Sequence, residues 1–360
     1  MHFPLGLLSL TMLIACNKIH ANSDTLPLSR QNVSIMFYNV ENLYDPYDDP
    51  GTLDDEFTPA GAKHYTWGKF RLKLNHLAKT IITAGGWDTI GFVGMCEVEN
   101  KYVLNKLIYE TALKGYGYRI IHHDSPDARG VDVAALYHPK KMKVLDYRYH
   151  RVNFPGDSAI RTREILVVSA VLFNADTVHF IVNHWPSRRG GQEESAWRRN
   201  YVAGMVRGIV DSIIEHRTSN NEHRTSNIEQ RTLNIVIMGD FNDDPIDASL
   251  RCHLGAALSA DSLSSLYNLT GMKGLKWNEG TIRYRGRWST FDQFIVTPPL
   301  LSGASGLITS PGDVTICRFP FLLQDDPTWF GEKLNRTYTG PRFTGGFSDH
   351  LPVLIRIWDR

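Results

Sequence analysis

The segment IVIMGDFND (235 to 243) closes an apolar run by presenting a carboxylate, Asp240, two positions ahead of a carboxamide, Asn242. Five other stretches end in a similar way. IMFYNVEN delivers Asn39 and Glu41, FVGMCEVEN delivers Glu97, FIVNHWPSRRGG delivers His184, TFDQFIV carries Asp292, and GGFSDHLPVLI delivers Asp349 and His350. Taken singly, Asn and Asp at a strand end are turn and cap residues, and a lone His is a hydrogen-bonded structural group. Taken together they are carboxylates, carboxamides and imidazoles, the groups of acid–base chemistry and hard-cation binding. In sheet-based folds such groups form a site where strand ends and loops converge. Asn39 and Glu41 are expected on one face of their strand, because side chains alternate. Asp349 and His350 are neighbours, so they point to opposite sides and are poorly placed to pair with each other.

Positioning these groups falls to short β-branched and aromatic runs. VSIMFY (33 to 38), IGFVGM (90 to 95), VDVAALY (131 to 137), EILVVSAVLF (164 to 173), TVHFIVN (177 to 183), LNIVIM (233 to 238), TFDQFIV (290 to 296) and LPVLIRIW (351 to 358) read as strands. Helical spacing joins Phe70, Leu74, Leu77 and Ile81, then Val103, Leu104, Leu107 and Ile108, and later Trp197, Tyr201, Met205, Ile209 and Ile213. Early alternation of strand and helix gives way after residue 131 to strands joined by short turns. That mixture predicts an α+β domain of packed sheets with outer helices, not a doubly wound parallel sheet. The 360 residues are 42% hydrophobic and 21% charged, the composition of a globular protein able to bury a large core. With 39 basic and 38 acidic side chains the net charge is +1, so no global field holds the chain on nucleic acid or acidic lipid. Anion binding must be local. No Pro- or Ser-rich linker divides residues 33 to 360, which predicts one domain.

The N-terminus reads differently. FPLGLLSLTMLIA (3 to 15) is apolar throughout, shorter than the about 20 residues of a membrane span but suited to a signal-peptide core, although no charged segment precedes it. Leu13, Ile14, Ala15 and Cys16 resemble the bacterial lipobox, in which the Cys is diacylated. On this reading residues 1 to 16 are a lipoprotein-type signal, 17 to 32 a polar tether, and the protein an exported cell-envelope lipoprotein that meets the membrane only through its anchor. Cleavage near Ala21 is the alternative and releases a periplasmic or secreted protein. Cys96, Cys252 and Cys317 have neither a disulfide pattern nor the spacing of a zinc site, and Cys96 reads as a small core residue. A polar seven-residue repeat over 215 to 235 reads as a duplicated surface loop without chemistry.

YNVEN, CEVEN, NHWPS, GDFND, FDQFIV and SDH carry a resemblance through their order and spacing. Over roughly residues 33 to 358 the chain resembles the endonuclease/exonuclease/phosphatase superfamily, the fold of pancreatic deoxyribonuclease and the abasic-site endonucleases. The resemblance implies a four-layer αββα sandwich with an active site at one edge of the paired sheets, and a metal-dependent phosphoesterase. Such an enzyme brings water to an anion, neutralises charge on a five-coordinate transition state and stabilises a leaving oxygen. Glu97, with Asn39 and Glu41, offers the oxygen ligands that Mg2+ prefers, with Mn2+ or Ca2+ as substitutes, and Asp349 is free to approach the same metal region. The resemblance further implies that Asp240 orients or deprotonates the water and that Asn242 hydrogen-bonds the phosphoryl oxygens. Asp292 then holds His350 as a cation of raised pKa, and His184 matches the deoxyribonuclease histidine that protonates the leaving group, with Asp132 in RGVDVAALY as its orienter.

Arg188 and Arg189, on a Gly-Gly turn beside His184, are the candidate phosphate-binding pair. Arg283, Arg285 and Arg287 around Tyr284 read equally well as solvated charges. The insertion LQDDPTWFGEKLNRTYTGPRFTGG before SDH is the place to look for substrate selection. The leading function is that of a Mg2+-dependent endonuclease acting on nucleic acid. The alternative is a phosphatase or phosphodiesterase acting on phosphoinositide, sphingomyelin or another small phosphate ester. A third reading, from a different class, is a surface binding module that kept the fold and lost catalysis. No protein partner is implied.

Overall fold

The computed structural model describes residues 31–360 apart from 157–159, 174–176, 220–232, 261–263, 275 and 277. Its main strands are β1 (Asn32–Leu43), β2 (Phe92–Val98), β3 (Arg119–His122), β4 (Asp132–Tyr137), β5 (Met142–His150), β6 (Ile165–Leu172), β7 (Thr177–His184), β8 (Asn234–Asp240), β9 (Asp292–Val296) and β10 (Val353–Asp359). The main helices are α1 (Trp67–Gly85), α2 (Lys101–Glu110) and α3 (Gln192–Ser219).

Alternation along β1 explains the layering. Met36, Tyr38 and Val40 pack with Leu74, Leu77 and Ile81 of α1 and Val103, Leu104 and Leu107 of α2. Val33, Ile35 and Phe37 point the other way, into a layer shared with Phe180, Val182, Val236, Met238 and Phe294. A strand covered on both faces has no polar side, which is why VSIMFY is continuously apolar. Strand β8 repeats the arrangement in reverse. Val236 and Met238 face inward, and Ile235 and Ile237 pack under Val202, Val206 and Val210 of α3. Each such buried side chain contributes about 1.5–3 kcal/mol, and a one-residue slip would exchange the two faces.

The described residues form two seven-stranded sheets. Sheet one runs Leu307–Ile308, β10, β1, β2, β4, β3, with Thr315–Ile316 also on β10; sheet two runs β5, β6, β7, β8, β9, Leu266–Asn268, Ala256–Ala257. Packed face to face with helices outside, they make the four-layer αββα sandwich that the family resemblance implies. Phe92 stacks on Phe180 across the interface, ring centroids 4.7 Å apart. At Gly94 a Cβ would lie 2.8 Å from Met238 Sδ, so glycine is needed for the sheets to approach.

Strand direction places the site. β1 pairs with β2 and β7 with β8 in parallel, which requires the long crossovers carrying α1 and α3. β9 is antiparallel to β8 and β10 to β1. The ends of β1, β2, β7 and β8 therefore lie at the same edge as the beginnings of β9 and β10.

Every strand and helix read from the sequence is present, and β3, β5 and the short strands at the sheet ends are among the additions. β5 is an edge strand whose Lys143, Asp146 and Arg148 are exposed, so no apolar pattern announces it. Residues Gln31–Arg360 form one compact unit. Cys16, the signal segment and nearly all of the tether lie outside the described residues, as does most of the 215 to 235 repeat. Among the described residues no helix is long and apolar enough to cross a membrane.

Candidate active site

At the edge where the strands end, the backbone leaves the regular pleat. β1 shifts register against β2 between Asn39 and Leu43, and β2 shifts against β4 between Cys96 and Val98. Glu41, Asn42, Glu97 and Asn242 take φ values of 50°, 50°, 63° and 52°. This left-handed conformation costs about 1–2 kcal/mol for a residue with a Cβ. It aims backbone N–H groups at the site's own oxygens: Glu41 N donates to Asn39 Oδ1 at 3.0 Å, Asn42 N to Glu97 Oε2 at 2.9 Å, and Asn242 N to Asp240 Oδ1 at 2.9 Å.

The same bend corrects the expectation that Asn39 and Glu41 work on one face. Asn39 turns to sheet two, where its Nδ2 donates to Asp240 Oδ2 at 3.0 Å. Glu41 is buried elsewhere: Arg336 Nε donates to its Oε1 at 3.1 Å, Thr337 N donates to its Oε2 at 2.7 Å, and Lys73 Nζ stands 4.0 Å away. Burial, with Asp349, pushes its carboxyl pKa up against the pull of Lys73 and Arg336. Buried and paired with both Arg336 and Lys73, Glu41 anchors the insertion before β10 instead of standing free as a metal ligand.

Sheet two sets three groups side by side, with Asp240 in register with His184 on one flank and Asp292 on the other. His350 closes the group. Its Nδ1 lies 2.7 Å from Asp292 Oδ2 and its Nε2 3.8 Å from Asp240 Oδ2. Burial opposes the imidazolium, but Asp292 and Asp240 outweigh it and hold the His350 pKa well above the usual histidine range. Burial pushes Asp240 up to about 6, with Asp292 adding to the rise and His350 opposing it. Near neutral pH a carboxylate of raised basicity therefore faces an imidazolium.

His184 departs from its expected setting. Its Nε2 is 3.7 Å from Asp240 Oδ2 and 3.8 Å from Glu97 Oε1, and its Nδ1 has no hydrogen-bond partner. Asp132, the expected orienter, belongs to sheet one and is occupied there: His122 Nε2 is 3.0 Å from its Oδ2, and Ser125 N donates to its Oδ1 at 2.8 Å. Burial, then the charges of Arg163 and Arg129, drives the His184 pKa well below the usual range, so the ring is neutral.

Arg188 is likewise not a free phosphate ligand. Nε donates to Asn242 O at 2.7 Å, the guanidinium bonds Asp243 at 3.1 Å and Asp247 at 2.8 Å, and it stacks on Phe291. It shapes the turn that presents Asn242, whose Nδ2 donates to Trp185 O at 3.0 Å. Arg189 is exposed on the Gly-Gly turn.

Three other arginines bring positive charge to the edge. Arg163 bonds Asp127 at 3.0 Å and Trp185 O at 2.7 Å. Arg129 sits close enough to Glu97 and Asp127 for their carboxylates to raise its pKa against burial. Arg336 links Glu41 to Asp349, whose Oδ2 it bonds at 2.8 Å. Their sequence signal is only a basic residue ahead of a strand, in DARGVDV and RTREILV, or within an insertion.

The donor chemistry suits a hard divalent cation. Glu97 Oε1 is uncommitted, and Glu97 and Asp349 side chains are 15% and 26% exposed, where the Asp240 side chain is 2% exposed. Cys96 places its sulfur within 4.8 Å of donor atoms of His184 and Asp240, yet burial pushes its thiol pKa well up, which leaves the oxygens as the ionised donors.

The sequence profile of the Endonuclease/Exonuclease/phosphatase family matches residues 34–359. No curated protein matches the chain in sequence. Among solved structures, an endonuclease/exonuclease/phosphatase family protein from Bacteroides thetaiotaomicron is 14% identical with a TM-score of 0.54, covering 92% of this chain and 97% of its own. D. rerio TDP2 complexed with single strand DNA product is 13% identical with a TM-score of 0.51, covering 91% and 98%. A Bacteroides thetaiotaomicron mannosyl-6-phosphatase is 13% identical with a TM-score of 0.51, covering 90% and 99%. At such identities these likenesses speak for the fold. With the profile spanning nearly the whole described chain, the protein belongs to the endonuclease/exonuclease/phosphatase family, a family of phosphoester hydrolases.

Proposed function

We propose that the protein is a divalent-metal-dependent hydrolase of phosphodiester bonds in nucleic acid. The observation that carries the hydrolytic reading is the chain Asn39–Asp240–His350–Asp292, in which an amide and an imidazolium flank one carboxylate at 3.0 and 3.8 Å while Asp292 holds the imidazolium at 2.7 Å. Asp240, with a pKa near 6, is matched to taking a proton from water at neutral pH. Asn39 positions it. His350 turns Nε2 toward the same space and presents its charge to phosphoryl oxygens, and Asn242 has a second amide hydrogen for them beyond the one given to Trp185 O. Glu97 and Asp349 would hold a divalent metal, which would supply positive charge for the phosphoryl and leaving oxygens. His184, being neutral, stands 3.8 Å from Glu97 and does not serve as the leaving-group acid expected of its deoxyribonuclease counterpart.

The clefts favour a chain-like substrate. Two of them meet at Arg336, one lined by Lys63, Tyr65 and Tyr338, the other by Arg285, Trp329 and Lys333. Cations on both sides suit successive phosphates, and the exposed Trp329 offers a stacking face for a base. The neutral His184 favours a second reading, a phosphatase on a small ester whose leaving oxygen is stabilised by the metal alone. The similar structures include both a protein with single strand DNA product and a mannosyl-6-phosphatase, so the fold does not choose.

The test compares plasmid nicking and oligonucleotide cleavage with phosphate release from sugar and lipid phosphates, each with Mg2+ and with chelator. Metal-dependent cleavage of DNA or RNA is expected. Intact nucleic acid beside rapid turnover of a small ester would shift the assignment to the second reading, and no turnover of either would remove the hydrolase assignment from these residues.

A further inference from the structure

We propose that the loop following β1 holds a second, structural divalent cation, Ca2+, bound by Asp49, Asp54 and Glu99 away from the phosphoryl site. Each of the three places one carboxylate oxygen within 4.8 Å of the others. Local hydrogen bonds build the cage before any ion enters. Asp45 N donates to Glu99 Oε2 at 2.7 Å, Asp49 N to Asp54 Oδ2 at 3.1 Å, and Thr52 Oγ1 to Asp54 Oδ1 at 2.9 Å. Asp45 adds a fourth carboxylate, which accepts from Tyr47 N at 2.8 Å and Asn100 Nδ2 at 3.2 Å.

Two independent observations call for a cation. Glu99 is 6% exposed, and its Oε1 is buried without a hydrogen-bond partner. A bare buried carboxylate oxygen costs on the order of 1–3 kcal/mol or more, and a site persists around one when something completes it. The charges that weigh most on the site are also negative. The charges acting most strongly on Glu99 are Asp45, Asp49 and Asp54, and those on Asp49 are Asp45, Asp54, Asp124 and Asp48. Other buried carboxylates of the molecule have a cation of their own: Asp127 has Arg163, Asp243 has Arg199, and Asp292 has His350.

Several carboxylates supplied by a loop are the mark of Ca2+, which takes 6–8 oxygens in an adaptable shell. Mg2+ keeps several waters and uses one or two carboxylates. The consequence reaches the phosphoryl site. Glu99 follows Glu97 by two residues, and Leu53 N donates to Ala128 O at 2.8 Å, beside Arg129. An ion at this point ties the 45 to 54 loop to the end of β2 and to the turn carrying Arg129.

The experiment is thermal unfolding of the chelator-stripped full chain, with about 1 mM Ca2+ or Mg2+ added, for the native protein and for Asp49→Asn, Glu99→Gln and Glu97→Gln. Ca2+ at about a hundredfold excess over its dissociation constant is expected to raise Tm by roughly 4 °C. Asp49→Asn and Glu99→Gln are expected to lose that increment, Glu97→Gln to keep it. Without Ca2+, Glu99→Gln should melt no lower than the native chain, since the amide oxygen still accepts from Asp45 N and the volume is unchanged, which separates a lost site from a damaged fold. Tb3+ luminescence sensitised by Tyr47, whose ring lies 4.9 Å from that of Trp67, provides a second readout that the same two variants should abolish. No Ca2+ increment in the native chain, or one surviving in both variants, overturns the proposal. An equal Mg2+ increment lost in the same variants overturns the choice of Ca2+.

Discussion

Asp292→Asn removes one negative charge and almost no volume from the centre of the candidate site. Asp292 is fully buried, and its Oδ2 holds His350 Nδ1 at 2.7 Å. Breaking a buried pair by deleting one partner costs about 3–5 kcal/mol when the surviving charge has no escape. His350 has one, because it can release its proton. The His350 pKa should therefore fall in the variant, though not completely, since Asp240 remains 3.8 Å from Nε2. Loss of a positioned charge at a phosphoryl group lowers the rate by about 100-fold or more, equivalent to about 2.7 kcal/mol of transition-state stabilisation.

The pH dependence of stability has a definite sign. His350 has a folded pKa above its unfolded one, so the stability it contributes is complete below about pH 6.5 and is lost as pH rises through the folded value. The native chain should lose stability along this alkaline limb, and Asp292→Asn should show a shallower one. Histidine NMR titration, thermal unfolding between neutral and alkaline pH, and turnover at saturating metal measure the three effects. An unchanged His350 titration in the variant, or turnover within about twofold of native, would refute the role given to the pair.

Glu97→Gln should weaken Mg2+ dependence and lower turnover while the unfolding transition stays near native, because it removes an anionic ligand and little packing; an unchanged metal titration removes Glu97 from the site. Lys73→Met should lower stability by about 3 kcal/mol, since Lys73 Nζ donates to Thr337 Oγ1 at 2.7 Å and faces Glu41, which would be left buried with less compensation; a Tm within about a degree of native counts against this. Cys16→Ser should move the protein from the detergent-soluble membrane fraction to a soluble or unprocessed form if Cys16 is the acylation point; a native chain that is already soluble and begins near Asn22 contradicts lipidation.

What was legible in the sequence followed from regular geometry. The continuous apolar runs VSIMFY and LNIVIM mark β1 and β8, strands buried on both faces, and the opposed side chains of Asp349 and His350 point to a separate orienter, found in Asp292 at 2.7 Å. The misreadings arise where partners are set by tertiary contact. Arg188 was paired in expectation with an outside anion, yet DFNDDPID folds Asp243 and Asp247 back onto its guanidinium. Asp132 was matched to His184 across sheets, while β3 runs antiparallel to β4 and brings His122 to it within one sheet.

Glu41 gives the physical reason in its clearest form. Alternation would set it beside Asn39, but the left-handed residues Glu41 and Asn42 interrupt the strand and separate their side chains. At about 1–2 kcal/mol apiece, the conformations of Glu41, Asn42, Glu97 and Asn242 are not what local preference would choose. They persist because the bent backbone sends Asn42 N to Glu97 and Asn242 N to Asp240, fixing two carboxylates that a straight strand would leave unaimed. A regular β1 and β2 would keep the alternation of an ordinary strand and would leave Glu97 without the N–H that now holds it.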